Sequence, residues 1–214
     1  MSLNNVLITG SSNGLGYYLS LYFSKKGHNI LLHGRDEIKL KQIKEKIIKN
    51  GVKAKYIVAD LENDEDIKYL CKFAEKENTS VLINNAGILC PNIPFSEFTN
   101  EIIDSMLKVN LIAPIKILNL LSKNLKQVIN INSMVGLEAK KNRTLYAASK
   151  WGLKGFSDSL KQEVIEYNIL DVYPTNIKTY SEKENAMEID FVANEIYQAM
   201  LDCKRNLILD GRKK

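Results

Sequence analysis

Residues 5–16 read NVLITGSSNGLG. An apolar run from Val6 to Ile8 gives way to Gly10, Gly14 and Gly16, and a helical pattern begins at Leu15. A short apolar run bounded by turn residues fits a strand buried on both faces. The glycines remove Cβ atoms, so the chain can turn tightly and a pyrophosphate can approach the N–H groups of a helix start, where the dipole attracts anions. Their spacing, G-x-x-x-G-x-G, is not the G-x-G-x-x-G of the better-known fingerprint. Glycines also simply make turns, but a set lying between a strand and a helix at the head of an alternating chain points to a bound dinucleotide.

The alternation continues through the 214 residues. Strand-like runs recur at 29–33, 54–59, 80–85, 127–132, 169–173 and 206–210, and helical periodicity occupies 15–26, 37–49, 64–77, 98–123, 146–166 and 189–203. Nearly continuous apolar strands between helices predict an α/β chain with a doubly wound, Rossmann-type architecture, its seven-stranded and mainly parallel sheet covered on both faces. The length suits a single domain over 1–214. Ligands of such sheets bind beyond the carboxyl ends of the strands, so a cofactor half is expected over about 1–90 and a catalytic and substrate half over about 91–214.

Composition narrows the classes further. Hydrophobic residues make up 45% and charged residues 26%, a globular balance. No apolar run approaches the roughly 18 to 20 residues of a membrane span, and MSLNNVLITG lacks the basic and apolar regions of an export signal, so a cytoplasmic protein without membrane contact is expected. Cys71, Cys90 and Cys203 are scattered without metal-ligand spacing, which suits a reducing compartment and gives no metal site. The net charge of +5 gathers in the lysines between Lys39 and Lys55 and reads as a solvated helix face. Neither interleaved aromatics nor a known module suggests nucleic acid as a partner.

The residues after each strand carry the chemistry. The second run ends in HGRDE, where an acid would bind a free ribose 2′-hydroxyl and an arginine would favour a 2′-phosphate. Gly34 stands where the acid is expected and Arg35 follows, which favours NADP over NAD; Asp36 is the alternative ribose contact. The third run leads to Asp60 and Leu61, and Asp60 either meets the adenine edge or caps the next helix. The fourth ends in NNAG, residues 84–87, whose small residues permit close backbone approach. The fifth delivers Ser133, and thirteen residues later come Tyr146 and Lys150.

Tyr-x-x-x-Lys occurs twice, at Tyr22 with Lys26 and at Tyr146 with Lys150. Spacing alone decides nothing. Only the second has a serine and a strand end behind it, and the first reads as a surface or packing pair. Residues i and i+4 share a helix face, which puts an ammonium near the phenol. At an effective dielectric of about 20, a charge some 6 Å away favours phenolate by roughly 2 to 3 kcal/mol, moving a phenol towards the working pH.

With these motifs in order, nearly the whole chain resembles the short-chain dehydrogenase/reductase family. The family's T-G-x-x-x-G-x-G lies at Thr9 to Gly16, its N-N-A-G at Asn84 to Gly87, and its catalytic Ser and Tyr-x-x-x-Lys at Ser133, Tyr146 and Lys150; KVNLIAP supplies Asn110 as the fourth member. The resemblance implies NADP, with NAD as the other candidate, held by Gly10, Ser12, Asn13, Gly14, Leu15 and Gly16, by Arg35, Asp60 and Leu61, and by Asn85, Ala86 and Gly87. Tyr146, Lys150, Pro174, Ile177 and Thr179 complete the implied contacts. It further implies hydride transfer between the cofactor and a small carbonyl or alcohol, with Ser133 binding the carbonyl, Tyr146 giving the proton, Lys150 holding the ribose, and Asn110 holding a water. Relatives commonly pair through two long helices, here 98–123 and 146–166, so a homodimer or homotetramer is expected.

Two departures stand out. Thr175 occupies the place of a glycine that usually follows Pro174, so the turn that carries Ile177 and Thr179 is expected to be shaped differently. Only YSEKENAME, 180–188, separates Thr179 from the last helix, too short and polar for a deep lid, so an open site is expected, with loop 89–95 or a neighbouring subunit as the other means of completing it. Two alternatives remain: a dinucleotide-binding sensor with little turnover, which the complete tetrad disfavours, and a sugar-nucleotide epimerase, which would need a further substrate domain.

Overall fold

The computed structural model describes residues 4–89, 93–179 and 185–212. Seven strands form one sheet: β1 (Asn5–Ile8), β2 (Asn29–Gly34), β3 (Ala54–Val58), β4 (Val81–Asn84), β5 (Gln127–Ile131), β6 (Asn168–Pro174) and β7 (Asn206–Leu209). Their order is 3-2-1-4-5-6-7 and every neighbouring pair is parallel. The chain thus winds outward from β1 in one direction and from β4 in the other. This leaves a crevice beyond the carboxyl ends of β1 and β4.

Side-chain alternation along the strands builds a core on each face. Val6 and Ile8 of β1 pack with Leu19 and Phe23 of α1 (Gly14–Lys25), Ile43 and Ile47 of α2 (Glu37–Ile48), and the last helix. Leu7 points the other way, with Leu70 and Ala74 of α3 (Asp64–Lys76) and with the helices between β4 and β5. Both faces of β1 are therefore dry, which is why its sequence is apolar without alternation.

The expected helix over 98–123 is not uniform. It comprises α4 (Asn100–Leu107), a π turn over Lys108–Ile112, α5 (Ala113–Leu121) and a closing 3-10 turn. Ala113 N–H reaches Lys108 O, five residues back, and Pro114 has no N–H to offer the carbonyl of Asn110. By length and composition the joined stretch Asn100–Asn124 could cross a bilayer, contrary to the sequence expectation that no run is long enough. Its apolarity has another cause here, because Met106, Val109, Ile117, Leu118 and Leu121 are core residues. The remaining helices are α6 (Thr144–Glu163) and α7 (Ile189–Leu201).

A buried polar chain crosses the second half of the sheet. Asn84 Nδ2 donates to Asn130 Oδ1 at 2.9 Å, Asn130 Nδ2 to Asp171 Oδ1 at 3.0 Å, and Lys161 Nζ to Asp171 Oδ2 at 2.6 Å. It holds β4, β5, β6 and α6 in register, since a buried charge left without its partner is strongly destabilising. Nothing in the local spacing announced Asp171 or Lys161.

Candidate active site

The glycine loop is built for close approach. Gly10 has φ 68°, and a Cβ there would lie 2.8 Å from Ala86 Cα; on Gly16 it would lie 2.3 Å from Gly10 O. Asn85 fastens the loop to the end of β4, its Nδ2 donating to Thr9 O at 2.9 Å, while Thr9 Oγ1 accepts from the N–H groups of Asn85 and Ala86 at 3.0 Å. Asp36, Asn63 and Thr99 cap α2, α3 and α4 with their side chains, but no side chain caps α1 and its first turn carries no acid. The start of α1, with Gly14 and Leu15, therefore keeps N–H groups for an anion.

Sequence reasoning missed the residue that ties this loop to the next two strands. His33, buried in β2, accepts from Gly10 N–H on Nδ1 at 3.2 Å, so its Nε2 carries the proton donated to Ala59 O at 3.1 Å. Burial holds its pKa near 4, so the ring is neutral at pH 7. A lone histidine in an apolar strand run was the available signal.

Beyond β3, Asp60 does not cap α3; Asn63 does, accepting from Glu65 and Asp66 N–H. Asp60 instead lies 3.7 Å from the Arg35 guanidinium, with buried Leu61 beside it. Asp36 caps α2 through Oδ1, and its other oxygen lies 3.5 Å from Lys39 Nζ. Asn13 Oδ1 accepts from Lys39 Nζ at 3.2 Å. Ser12 Oγ is buried and has no hydrogen-bond partner among the described residues. A Cβ on Gly34 would come 2.1 Å from it, so an acid at position 34 would have to displace that hydroxyl.

Of the four expected catalytic residues, Asn110, Tyr146 and Lys150 come together at one wall, and Ser133 begins the turn that Asn132 ties to α6. Asn110, 1% exposed, accepts from Ile88 N–H at 2.7 Å, and its Nδ2 donates to Ile88 O at 3.0 Å and Ser149 Oγ at 3.3 Å. A Cβ on Gly87 would lie 3.3 Å from Asn110 Oδ1 and 4.0 Å from Lys150 Nζ, so the NNAG turn, Asn110 and Lys150 share one wall. Lys150 Nζ donates to Ile131 O at 3.0 Å and sits 5.7 Å from the centre of the Tyr146 ring, close to the separation expected from the helical spacing. Burial lowers the Lys150 pKa to about 8. Asn132, also missed from sequence, accepts from Ser133 N–H at 2.9 Å and donates to Lys150 O at 3.1 Å, coupling the serine turn to α6.

Beyond β6, which ends at the buried Pro174, Thr175 needs no left-handed backbone: its N–H and Oγ1 bond Leu209 O at 2.9 and 3.3 Å. Ile177 pairs with Met187, and Thr179 N–H folds back to Ile177 O at 2.7 Å. Residues 180–184 of the short cover and 90–92 of loop 89–95, Cys90 included, lie outside the described residues. The other Tyr-x-x-x-Lys, Tyr22 with Lys26, is a packing pair: Tyr22 Oη donates to Asn194 of α7 at 2.8 Å and Lys26 sits over its ring.

A family model for short chain dehydrogenase matches residues 4–189. Nodulation protein G of Rhizobium sp. (strain N33) is 34% identical over 170 residues, 76% of this chain and 68% of that protein. The 3-oxoacyl-(acyl-carrier-protein) reductase FabG of Rickettsia typhi is 33% identical over 164 residues, 74% of this chain and 65% of that protein. The chain therefore spans about two thirds of the length of these relatives. A metagenomic short-chain oxidoreductase in complex with NADP superimposes with a TM-score of 0.84 at 25% identity, covering 96% of this chain and 95% of that one. An alcohol dehydrogenase from the archaeon Thermococcus sibiricus, complexed with 5-hydroxy-NADP, shares the fold with a TM-score of 0.92 at 19% identity, covering 100% and 98%. With this match over most of its length, its fully parallel sheet and its glycine loop, the chain belongs to the short-chain dehydrogenase family of oxidoreductases.

Proposed function

We propose that the protein is an NADP(H)-dependent reductase that converts a carbonyl to an alcohol, or the reverse, as one catalytic unit with its cofactor half before its substrate half. The observation that carries this reading is the shared wall of Gly87, Asn110 and Lys150, with Tyr146 on the same helix turn. The cofactor fits the residues present: the glycine cradle has no room for side chains, α1 begins uncapped, and the Ser12 hydroxyl is buried without a partner. When bound, the reduced nicotinamide supplies the hydride. Gly10, Asn13, Gly14, Leu15 and Gly16 border the pyrophosphate, Asp60 and Leu61 the adenine, Asn85 to Gly87 the ribose side, and Pro174, Ile177 and Thr179 the nicotinamide.

Ser133 Oγ, oriented by Asn132 through its own backbone, hydrogen-bonds the substrate carbonyl oxygen. Tyr146 donates its phenolic proton to that oxygen, and the Lys150 ammonium favours the phenolate left behind. The Asn110 side chain already bonds Ile88 and Ser149, and Pro114 offers its main-chain carbonyl no N–H, which favours that carbonyl as the group that holds a water to return the proton. NADPH oxidation across a chemically diverse carbonyl panel tests the reading. Tight NADPH binding with no turnover on any member would favour a sensor instead.

Arg35 and the Gly34–Ser12 contact support NADP over NAD. A charge-assisted bond to a 2′-phosphate is worth about 1.5 to 3 kcal/mol, so Arg35→Ala is expected to reduce the preference for NADPH over NADH by about ten-fold or more. Titration of both cofactors checks this, and equal affinities in the wild type would overturn the assignment. Assembly through the long helices is supported by exposed apolar residues on both of them, Ile112 and Leu120 on the first and Trp151 on α6. Light scattering is expected to give a dimer or tetramer at tens of micromolar, and a monomer there counts against it.

A further inference from the structure

Residues 210–212 reach the part of the site that the motifs define least. The Arg212 guanidinium grips two carboxylates: Nη1 and Nη2 donate to Glu138 Oε2 and Oε1 at 2.9 and 3.1 Å, and Nε and Nη2 to Asp210 Oδ1 and Oδ2 at 2.7 and 2.8 Å. Glu138 lies just past the turn that begins at Ser133. One residue before Arg212, Gly211 N–H donates to Thr175 Oγ1 at 2.9 Å. A Cβ on Gly211 would meet Asn185 O at 2.6 Å and Met187 Cγ at 2.9 Å, so the backbone presses directly on that strip. Met187 is itself paired with 176–178, accepting from Lys178 N–H at 2.9 Å and donating to Asn176 O at 2.9 Å.

We propose that Arg212 is a positioning residue: with Gly211 it staples Glu138, Thr175 and the paired backbone at 176–178 and 187 into one wall that fixes the nicotinamide side of the site. The staple rests on the reading of Ile177 and Thr179 as nicotinamide contacts. It also accounts for threonine at 175, whose hydroxyl is the attachment point for Gly211 where a glycine would offer none. Isolated surface ion pairs hold little. This one differs because a planar fork is satisfied on both edges, and the Asp210 side chain is only 8% exposed.

The test separates the two ends of the cofactor. Binding of NADPH and of 2′,5′-ADP, which lacks the nicotinamide, is measured by calorimetry for wild type, Arg212→Ala, Arg212→Lys and Thr175→Val, with amide hydrogen exchange of the cofactor-free proteins at 137–139 and 176–179. Losing these bonds is expected to weaken NADPH in Arg212→Ala by about five-fold while 2′,5′-ADP stays within about two-fold. Arg212→Lys, which keeps the charge without the fork, should fall between, Thr175→Val should shift the same way, and exchange at 176–179 should quicken. Equal weakening of both ligands would show a general loss of fold, and unchanged exchange with unchanged affinities would show no staple; either overturns the proposal. If the wild type binds NADPH no tighter than 2′,5′-ADP, the nicotinamide reading is what fails, and faster or unchanged exchange then decides for or against the staple on its own.

Discussion

Tyr146→Phe is expected to lower turnover by about 10²- to 10⁴-fold, the span usual for loss of a positioned general acid. NADPH affinity should stay within a few fold, because the lost hydroxyl contributes far more to the transition state than to the bound cofactor. Single-turnover rates with the best carbonyl of the panel give the measurement, and a variant retaining a tenth of wild-type turnover would remove Tyr146 from its role. Tyr22→Phe is the matched control. It deletes the bond to Asn194 between α1 and α7 and leaves the crevice untouched, so activity should be unchanged.

Lys150→Met is expected to move activity and stability in opposite directions. Turnover and NADPH affinity should both collapse, since the ammonium serves the tyrosine and the ribose. The cofactor-free protein should become more stable at neutral pH. The Lys150 pKa is about 8 in the fold against 10.5 ordinarily, so the unfolded chain holds that proton more tightly. The resulting penalty on the fold is complete below pH 8, shrinks as pH rises from 8 to 10.5, and is absent above. Its size is about 3 kcal/mol, and leaving Ile131 O without its donor returns about 1 kcal/mol of that. A net gain of about 2 kcal/mol should raise Tm at pH 7 by roughly 4 to 8 °C. Thermal melts of both proteins from pH 7 to 10.5 check the sign: the difference must shrink with pH, and a variant that melts lower at pH 7 contradicts the account.

Every strand lies within about one residue of its place in the sequence pattern, because a parallel sheet dry on both faces writes itself as apolar runs between glycines and caps. The nearness of Asn110, Tyr146 and Lys150 was legible from motifs that follow a strand or sit on a long periodic helix; the roles of these residues and of Ser133 belong to the proposed function. Legibility ended where a role depends on residues far apart in the chain. Spacing left Asp60 open between an adenine contact and a helix cap, and only the structure gives the cap to Asn63; His33 reads in sequence as the last residue of a strand. Asn132, Asp171, Lys161 and Arg212 act through partners that local spacing does not name. Thr175 read as a fault in a turn, and its reason lies 36 residues away at Gly211.

The widened turn at Lys108–Ile112 hid from the periodicity for a different reason. Five residues wound with bonds to the fifth neighbour are a helix carrying one residue too many, and the surplus is absorbed locally between α4 and α5. Each residue of a regular helix turns the chain by about 100°, so excising the surplus one is expected to swing the amide of Asn110 away from Ile88. At this point the site is written in chain length and not in residue type: every side chain of KVNLIAP could be kept and the wall beside Lys150 still lost by a single deletion.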